Sequence, residues 1–87
     1  MIGQGMNPTE KSLRVALVAS GWPHGDVKVD DSLLDLGLDS LTLALWVAEL
    51  ERQHQVKIPF DHLTIDQWET LNKAVSILDP ILKGQTR

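Results

Sequence analysis

The stretch that decides the fold is Leu36–Gln53, LGLDSLTLALWVAELERQ. From its middle onward, Leu43, Trp46, Val47 and Leu50 recur at i, i+3, i+4 and i+7, the spacing of a helix that buries one face. A helix is therefore predicted from about Ser40 to about Gln53. Leu41, Ala44, Leu45 and Ala48 are apolar as well, yet fall off that stripe. A helix apolar on more than its core face is either central to a bundle or faces a partner. Ser40 is the odd residue, a lone hydroxyl between Asp39 and Leu41, just past Gly37. It could cap the helix, act as a nucleophile or carry a covalent group.

Upstream, NPTEKSLRVALVAS carries a strong helix start. Asn7 suits the N-cap, Pro8 the first helical position, and Glu10 follows three residues after the cap. Leu13, Ala16 and Leu17 share one face, with Val18 and Ser20 at its flanks, and Gly21 with Trp22 and Pro23 ends the helix. Residues 22–39 show no sustained stripe. An irregular connection of this length inside a small domain is usually functional, and Leu33, Leu36 and Leu38 are expected to pin it to the core.

Downstream, Pro59 breaks the chain, and residues 61–67 allow a turn or two with Leu63 and Trp68 pointing inward. Thr70 then caps a last helix striped by Leu71, Ala74, Val75 and Leu78, with Pro80 and Gly84 fraying its end. No segment alternates as a strand does, and no repeat or low-complexity tract occurs. The expectation is an all-α domain over residues 7–82, with three main helices and one short one. Residues 1–6 read as a flexible leader and 83–87 as a flexible tail.

Composition narrows the function. The chain's 87 residues fit one domain, and a domain of that size buries roughly 60–65% of the surface its unfolded chain exposes. A deep two-layered catalytic cleft is disfavoured. Hydrophobic residues make up 43% and charged ones 23%, an ordinary globular balance that argues against disorder throughout. The absence of cysteine excludes disulfides, thiolate nucleophiles and cysteine metal sites. MIGQGMNPTE lacks a basic region followed by an apolar core, and no apolar stretch approaches the roughly 20 residues of a membrane span. A soluble, cytoplasmic protein is expected. Between Asp26 and Glu51 lie seven acids and one base, a net −6, whereas five acids and seven bases elsewhere give +2. An acidic middle steers basic protein partners and repels phosphate backbones, so nucleic-acid binding is disfavoured.

Three uses of Ser40 remain. As a cap it is not required, because Asp39 caps equally well. As a nucleophile it needs a base and an oxyanion hole, yet His24, His54 and His62 have no motif context. LDSL shares letters with GDSL-type hydrolases, but a leucine stands where the glycine belongs and the chain is short. As an attachment point it has a physical logic: at a helix's first turn the hydroxyl projects outward. A phosphate there would gain about 0.3–1 kcal/mol from the helix's positive end.

DSLLDLGLDSLTLALWVAELE, residues 31–51, resembles the attachment region of acyl and peptidyl carrier proteins, which bear a 4′-phosphopantetheine on the serine of a GxDSL element. The capped first helix, the acidic connection, the helix after the serine, the Ile58-Pro59 pair and the Thr-capped last helix recur in the same order, over about residues 8–80. The resemblance implies an all-α four-helix bundle of the acyl-carrier-protein type with a short third helix. It implies a non-catalytic carrier, a monomer whose Ser40 takes the arm from coenzyme A. Asp39 and Leu41 would be read by the phosphopantetheinyl transferase. Leu41, Ala44, Leu45, Ala48 and Glu49, with Glu51 lower down, would face partner enzymes. The cargo would be an acyl or aminoacyl thioester, loaded by a ligase or transferase, in a polyketide, nonribosomal peptide or related pathway. One departure stands out. Fatty-acid-type carriers place acids early in this helix, where Thr42, Ala44 and Leu45 stand here. IPFDHLTIDQWETLNKAV is in turn similar to free-standing carriers of small polar cargo, D-alanyl, glyceryl or aminoacyl, with Trp68 and Thr70 at the matching positions.

Plainer readings stand beside these. Trp46 lies on the core stripe, Trp22 closes an end of the bundle, and Trp68 is equally a core residue. The histidines are 30 and 8 positions apart, without an i, i+4 pair. The acids of residues 26–39 lack EF-hand ligand spacing and its final glutamate, so no metal site is expected. The rival function is a helical adaptor whose Leu41/Leu45 face docks a partner without any prosthetic group. A regulatory domain phosphorylated on Ser40 uses the same geometry with a smaller adduct.

Overall fold

The computed structural model describes residues 7–59 and 64–84. Three α-helices follow one another, α1 (Pro8–Ala19), α2 (Ser40–His54) and α3 (Leu71–Gly84), with a 3₁₀ turn over Ile65–Trp68 ahead of α3. No strand occurs among the described residues. The all-helical architecture fits the acyl-carrier-protein type. Its short third element is a single 3₁₀ turn in the described residues, and the expected inward position of Leu63 lies outside them, as do residues 1–6 and 85–87.

α1 starts as its sequence dictates. Asn7 Oδ1 accepts the Thr9 N–H at 2.7 Å, with Pro8 in the first helical position. It ends in a Schellman turn: Gly21, at φ 102°, donates to the Val18 carbonyl, and the Trp22 N–H reaches the Leu17 carbonyl. Trp22 is thereby folded back into the core, its ring edge-on to His24 at 5.1 Å.

α1 packs against both α2 and α3. Between them, Leu13, Leu17, Trp46, Leu50, Leu71, Ala74 and Leu78 are buried. Each buried leucine of this kind contributes roughly 1.5–3 kcal/mol by leaving water. Trp46 is the centre of the arrangement. Its Nε1–H donates to the Leu13 carbonyl at 2.9 Å, which satisfies the one polar atom of a wholly buried side chain. Trp68 meets it edge-on at 5.2 Å.

The connection between α1 and α2 is irregular but not loose. Leu33 and Leu38 are buried and Leu36 packs against the core, as expected, while Val27 joins them. Its backbone is bonded to its surroundings. The Leu33 N–H donates to the Glu69 carbonyl at 2.7 Å, and the Val29 carbonyl accepts the Asn72 N–H at 3.1 Å. That second bond satisfies one of the donors that the first turn of α3 leaves unpaired. Arg14, paired with Glu10, donates to the Val27 carbonyl at 2.6 Å.

α3 starts at the predicted cap, Thr70 Oγ1 accepting from the Lys73 N–H at 3.1 Å. Its end corrects the sequence reading. Pro80 sits inside the helix, which runs on to Gly84, although an interior proline costs about 3 kcal/mol. Ile81 and Leu82 pack against the core beyond it. Asp79 ties the same turn down from both sides, accepting the Thr9 hydroxyl at 2.7 Å and lying 3.0 Å from the Lys83 ammonium. Burial and these bonds offset the missing N–H.

Candidate functional site

The site is built by the turn that precedes α2. Residues 33–37 form one turn closed by a second Schellman arrangement, in which Gly37 donates to the Leu34 carbonyl and Leu38 to the Leu33 carbonyl. Gly37 holds φ at 111°, a conformation that any side chain resists. A Cβ there would meet nothing within 4 Å. The glycine is needed for its backbone, not for space. It sends Leu38 into the core and leaves Asp39 extended at φ −133°, where Asp39 Oδ1 accepts the Thr42 N–H at 2.8 Å.

Asp39, not Ser40, is therefore the N-cap. The Thr42 N–H above all, then the Thr42 hydroxyl, hold the Asp39 carboxyl below its ordinary range. Ser40 is the first helical residue, exposed, and its hydroxyl has no hydrogen-bond partner among the described residues. Among the described residues no histidine attends it: His54 ends the same helix, and His24 meets Trp22 edge-on. His62 lies outside the described residues. No group of three or more acids or histidines fit to hold a metal occurs among the described residues. Two acids of the connection have partners in the fold: Asp31 accepts the Lys28 N–H at 2.9 Å, and Asp30 accepts from the Asn72 amide, far along the chain, at 3.1 Å.

The outer side of α2 carries two neighbouring surfaces. Leu41 and Leu45, 68% and 46% exposed, form an apolar stripe with Ala48 beside it. Ser40, Ala44 and Ala48 lie toward one flank and line a groove, completed by Leu43, Val47 and Glu51 on α2 and by Thr64, Ile65 and Asp66 opposite. The groove is open to solvent and has a volume of about 540 Å³. Glu49 falls on the other flank, since nine residues at 3.6 per turn place it about half a revolution from Ser40. Arg52 and Gln53 both donate to it, and the Arg52 bond holds its carboxyl below the ordinary range. The outer side of α2 thus runs from Ser40 and Ala44 through Ala48 and Leu41 to Leu45, with Glu49 one turn below Leu45 at the far edge. Trp68 and Thr70 have structural work, one in the core and one capping α3.

Sequence reasoning did not find the groove. Its far wall comes from residues 64–66, for which no periodicity speaks. Glu51 had a usable signal: eleven residues make close to three turns, so it shares Ser40's side of α2. Its Oε2 accepts the Ile58 N–H at 2.8 Å, which clamps the segment after α2 to the helix.

The residues present fit a phosphodiester-linked arm: an exposed, unengaged hydroxyl at a helix start, beside a groove that runs away from it. Residues 15–78 match the family described as phosphopantetheine attachment site. A D-alanyl carrier protein of Streptococcus uberis (strain ATCC BAA-854 / 0140J) is 39% identical over 51 residues, 58% of this chain and 63% of that protein. The match thus spans less than two thirds of that relative's length. No solved structure matches the chain. No helix among the described residues is long and apolar enough to cross a membrane. A fold of three capped helices, a free serine at the start of the second, and a family match over most of the chain lead to one conclusion. The chain belongs to the phosphopantetheine attachment-site family of carrier proteins, which bear 4′-phosphopantetheine covalently.

Proposed function

We propose that Ser40 is the attachment residue and that the domain presents an acyl or aminoacyl group to partner enzymes in a biosynthetic pathway of the polyketide, nonribosomal peptide or related kind. The single observation that carries this is the division of labour at the start of α2. Asp39 takes the cap, so the Ser40 hydroxyl is exposed and uncommitted. The group supplies, when bound, a thiol on which cargo is held as a thioester.

The chain's own residues do the rest. Asp39 fixes the first turn and keeps a negative charge beside the hydroxyl for a basic transferase to read. Leu41, Ala44, Leu45 and Ala48 offer a partner an apolar surface that leaves water on docking. Glu49, engaged by Arg52 and Gln53, contributes at the rim. As in other carriers of the family, the domain acts by holding its cargo at high effective concentration for successive enzymes. In this reading the domain works as a cytoplasmic monomer. Family membership displaces the adaptor without a prosthetic group.

The test is to incubate the protein with coenzyme A and a broad-specificity phosphopantetheinyl transferase and to measure intact mass beside Ser40→Ala. One added phosphopantetheine on the unsubstituted protein alone is the expected result. A gain on both proteins moves the site elsewhere, and a gain on neither removes the reading.

A further inference from the structure

The connection ahead of α2 holds four leucines, Leu33, Leu34, Leu36 and Leu38. Leu33 and Leu38 are buried and Leu36 packs against the core, whereas Leu34 stays 36% exposed. Its neighbour Asp35 is exposed as well.

The mount of Leu34 is fixed by backbone bonds. Its carbonyl accepts the Gly37 N–H at 3.1 Å, the Leu38 N–H reaches the Leu33 carbonyl at 2.8 Å, and the Leu33 N–H is tied to the Glu69 carbonyl at 2.7 Å. A side chain carried on such a turn gives up little freedom when a partner covers it. The same bonds limit its distance from the serine. A turn closed between residues 34 and 37 keeps their Cα atoms within about 7 Å, and the three residues from Gly37 to Ser40 span at most about 11 Å. Leu34 therefore lies no more than about 18 Å from Ser40, whereas a contact of about 800 Å² per partner is roughly 30 Å across. An enzyme seated over the Ser40 hydroxyl has Leu34 within its span.

The chain repeats one pattern on both sides of the serine. Leu34 and Asp35 precede it, Asp39 and Leu41 flank it, and all four are exposed. We propose that Leu34 is a second apolar anchor, beside Leu41, for the phosphopantetheinyl transferase, and that the transferase meets this segment with an apolar surface edged by basic side chains. This rests on Ser40 being the attachment residue. The anchor sets affinity for the carrier and not the chemistry at the hydroxyl, because it touches none of the reacting atoms.

The full 87-residue protein is supplied at varied concentration to a phosphopantetheinyl transferase with coenzyme A, and initial rates are read by intact mass. Leu34→Ala and Leu34→Gln are each expected to raise KM for the carrier about 3–10-fold, with kcat changed less than about twofold. Leu34→Met, which keeps the apolar bulk, should restore KM. The ratio of variant to unsubstituted KM should hold from low to high salt, because an apolar contact is not screened. Circular dichroism at the assay temperature shows each variant folded, which separates affinity from loss of fold. An unchanged KM in both Leu34→Ala and Leu34→Gln, a fall in kcat in place of a rise in KM, or a ratio that vanishes at high salt overturns the proposal and leaves Ser40 as the attachment residue. Absence of an adduct on the unsubstituted protein overturns both.

Discussion

On the inner face of α2, Leu43, Trp46, Val47 and Leu50 are buried, and the indole N–H of Trp46 is spent on the Leu13 carbonyl. On the outer face of the same helix, Leu41 and Leu45 stay largely exposed and the Ser40 hydroxyl bonds to nothing among the described residues. Both faces follow one helical repeat, so propensity and periodicity do not separate them. The inner residues are set by volume and by one buried hydrogen bond. The outer ones contribute less to the core, and in the proposed reading a partner enzyme covers them. Stability and function are divided by rotation about a single axis.

The comparison breaks most sharply at Trp46. Trp46→Ala removes a wholly buried indole and orphans part of the packing around Trp68, and should cost about 3–5 kcal/mol, read by chemical denaturation. If it cost no more than a surface change, the inner face would not be what holds α2. Gly37→Ala comes next, at about 1–2 kcal/mol, since a left-handed φ rather than any contact resists the methyl. Transferase rate should fall as well, because Asp39 and Ser40 are positioned by that turn.

The outer face should behave in the opposite way. Leu41→Ala combined with Leu45→Ala should leave stability within about 0.5 kcal/mol per site while slowing modification by the transferase, measured as adduct formed against time. Asp39→Ala should lower the melting temperature slightly and expose the first amides of α2 to hydrogen exchange, with Asp39→Asn restoring most of the protection.

Acid provides the gentlest test. Asp39 and Asp79 titrate lower in the fold than free carboxyls do, the first through the Thr42 N–H and the second through the Thr9 hydroxyl and then Lys83. Their contribution is present above the unfolded value of about 3.9 and is lost as pH falls through the lower folded values. Stability should be flat near neutrality and decline below about pH 4. In Asp79→Asn that decline should be shallower, as followed by helical circular dichroism.

How far the sequence could be read depends on how local each interaction is. The Asn7, Asp39 and Thr70 caps, the glycine end at Gly21 and the stripe of α2 are fixed by bonds spanning two to five residues or by a 3.6-residue repeat, and all had a signal in the letters, as had Ser40. The turn closed by Gly37 is as local but was not read from them. Which of Asp39 and Ser40 would take the cap was left open by the letters, since both are good caps. Gly37 decides it by setting the chain's approach.

The rest depended on contacts between distant segments. Proline at position 80 is a helix breaker by local rule, and only Thr9, seventy residues away through Asp79, together with the burial of Ile81 and Leu82, holds the helix through it. Leu33, Leu36 and Leu38 were expected to pin the acidic connection to the core, but its backbone bonds to Glu69 and Asn72, which make it part of the packed structure, had no signal in the letters. The groove needed two walls from residues 40–51 and 64–66, and no pattern in either segment announces the other. The sequence by itself determined the helices, their starts and where the serine stands, because those are set by short-range hydrogen bonds and by which side chains leave water. Only the tertiary structure decided what lies beside the serine, because a groove is a relation between surfaces that meet only when the chain has folded.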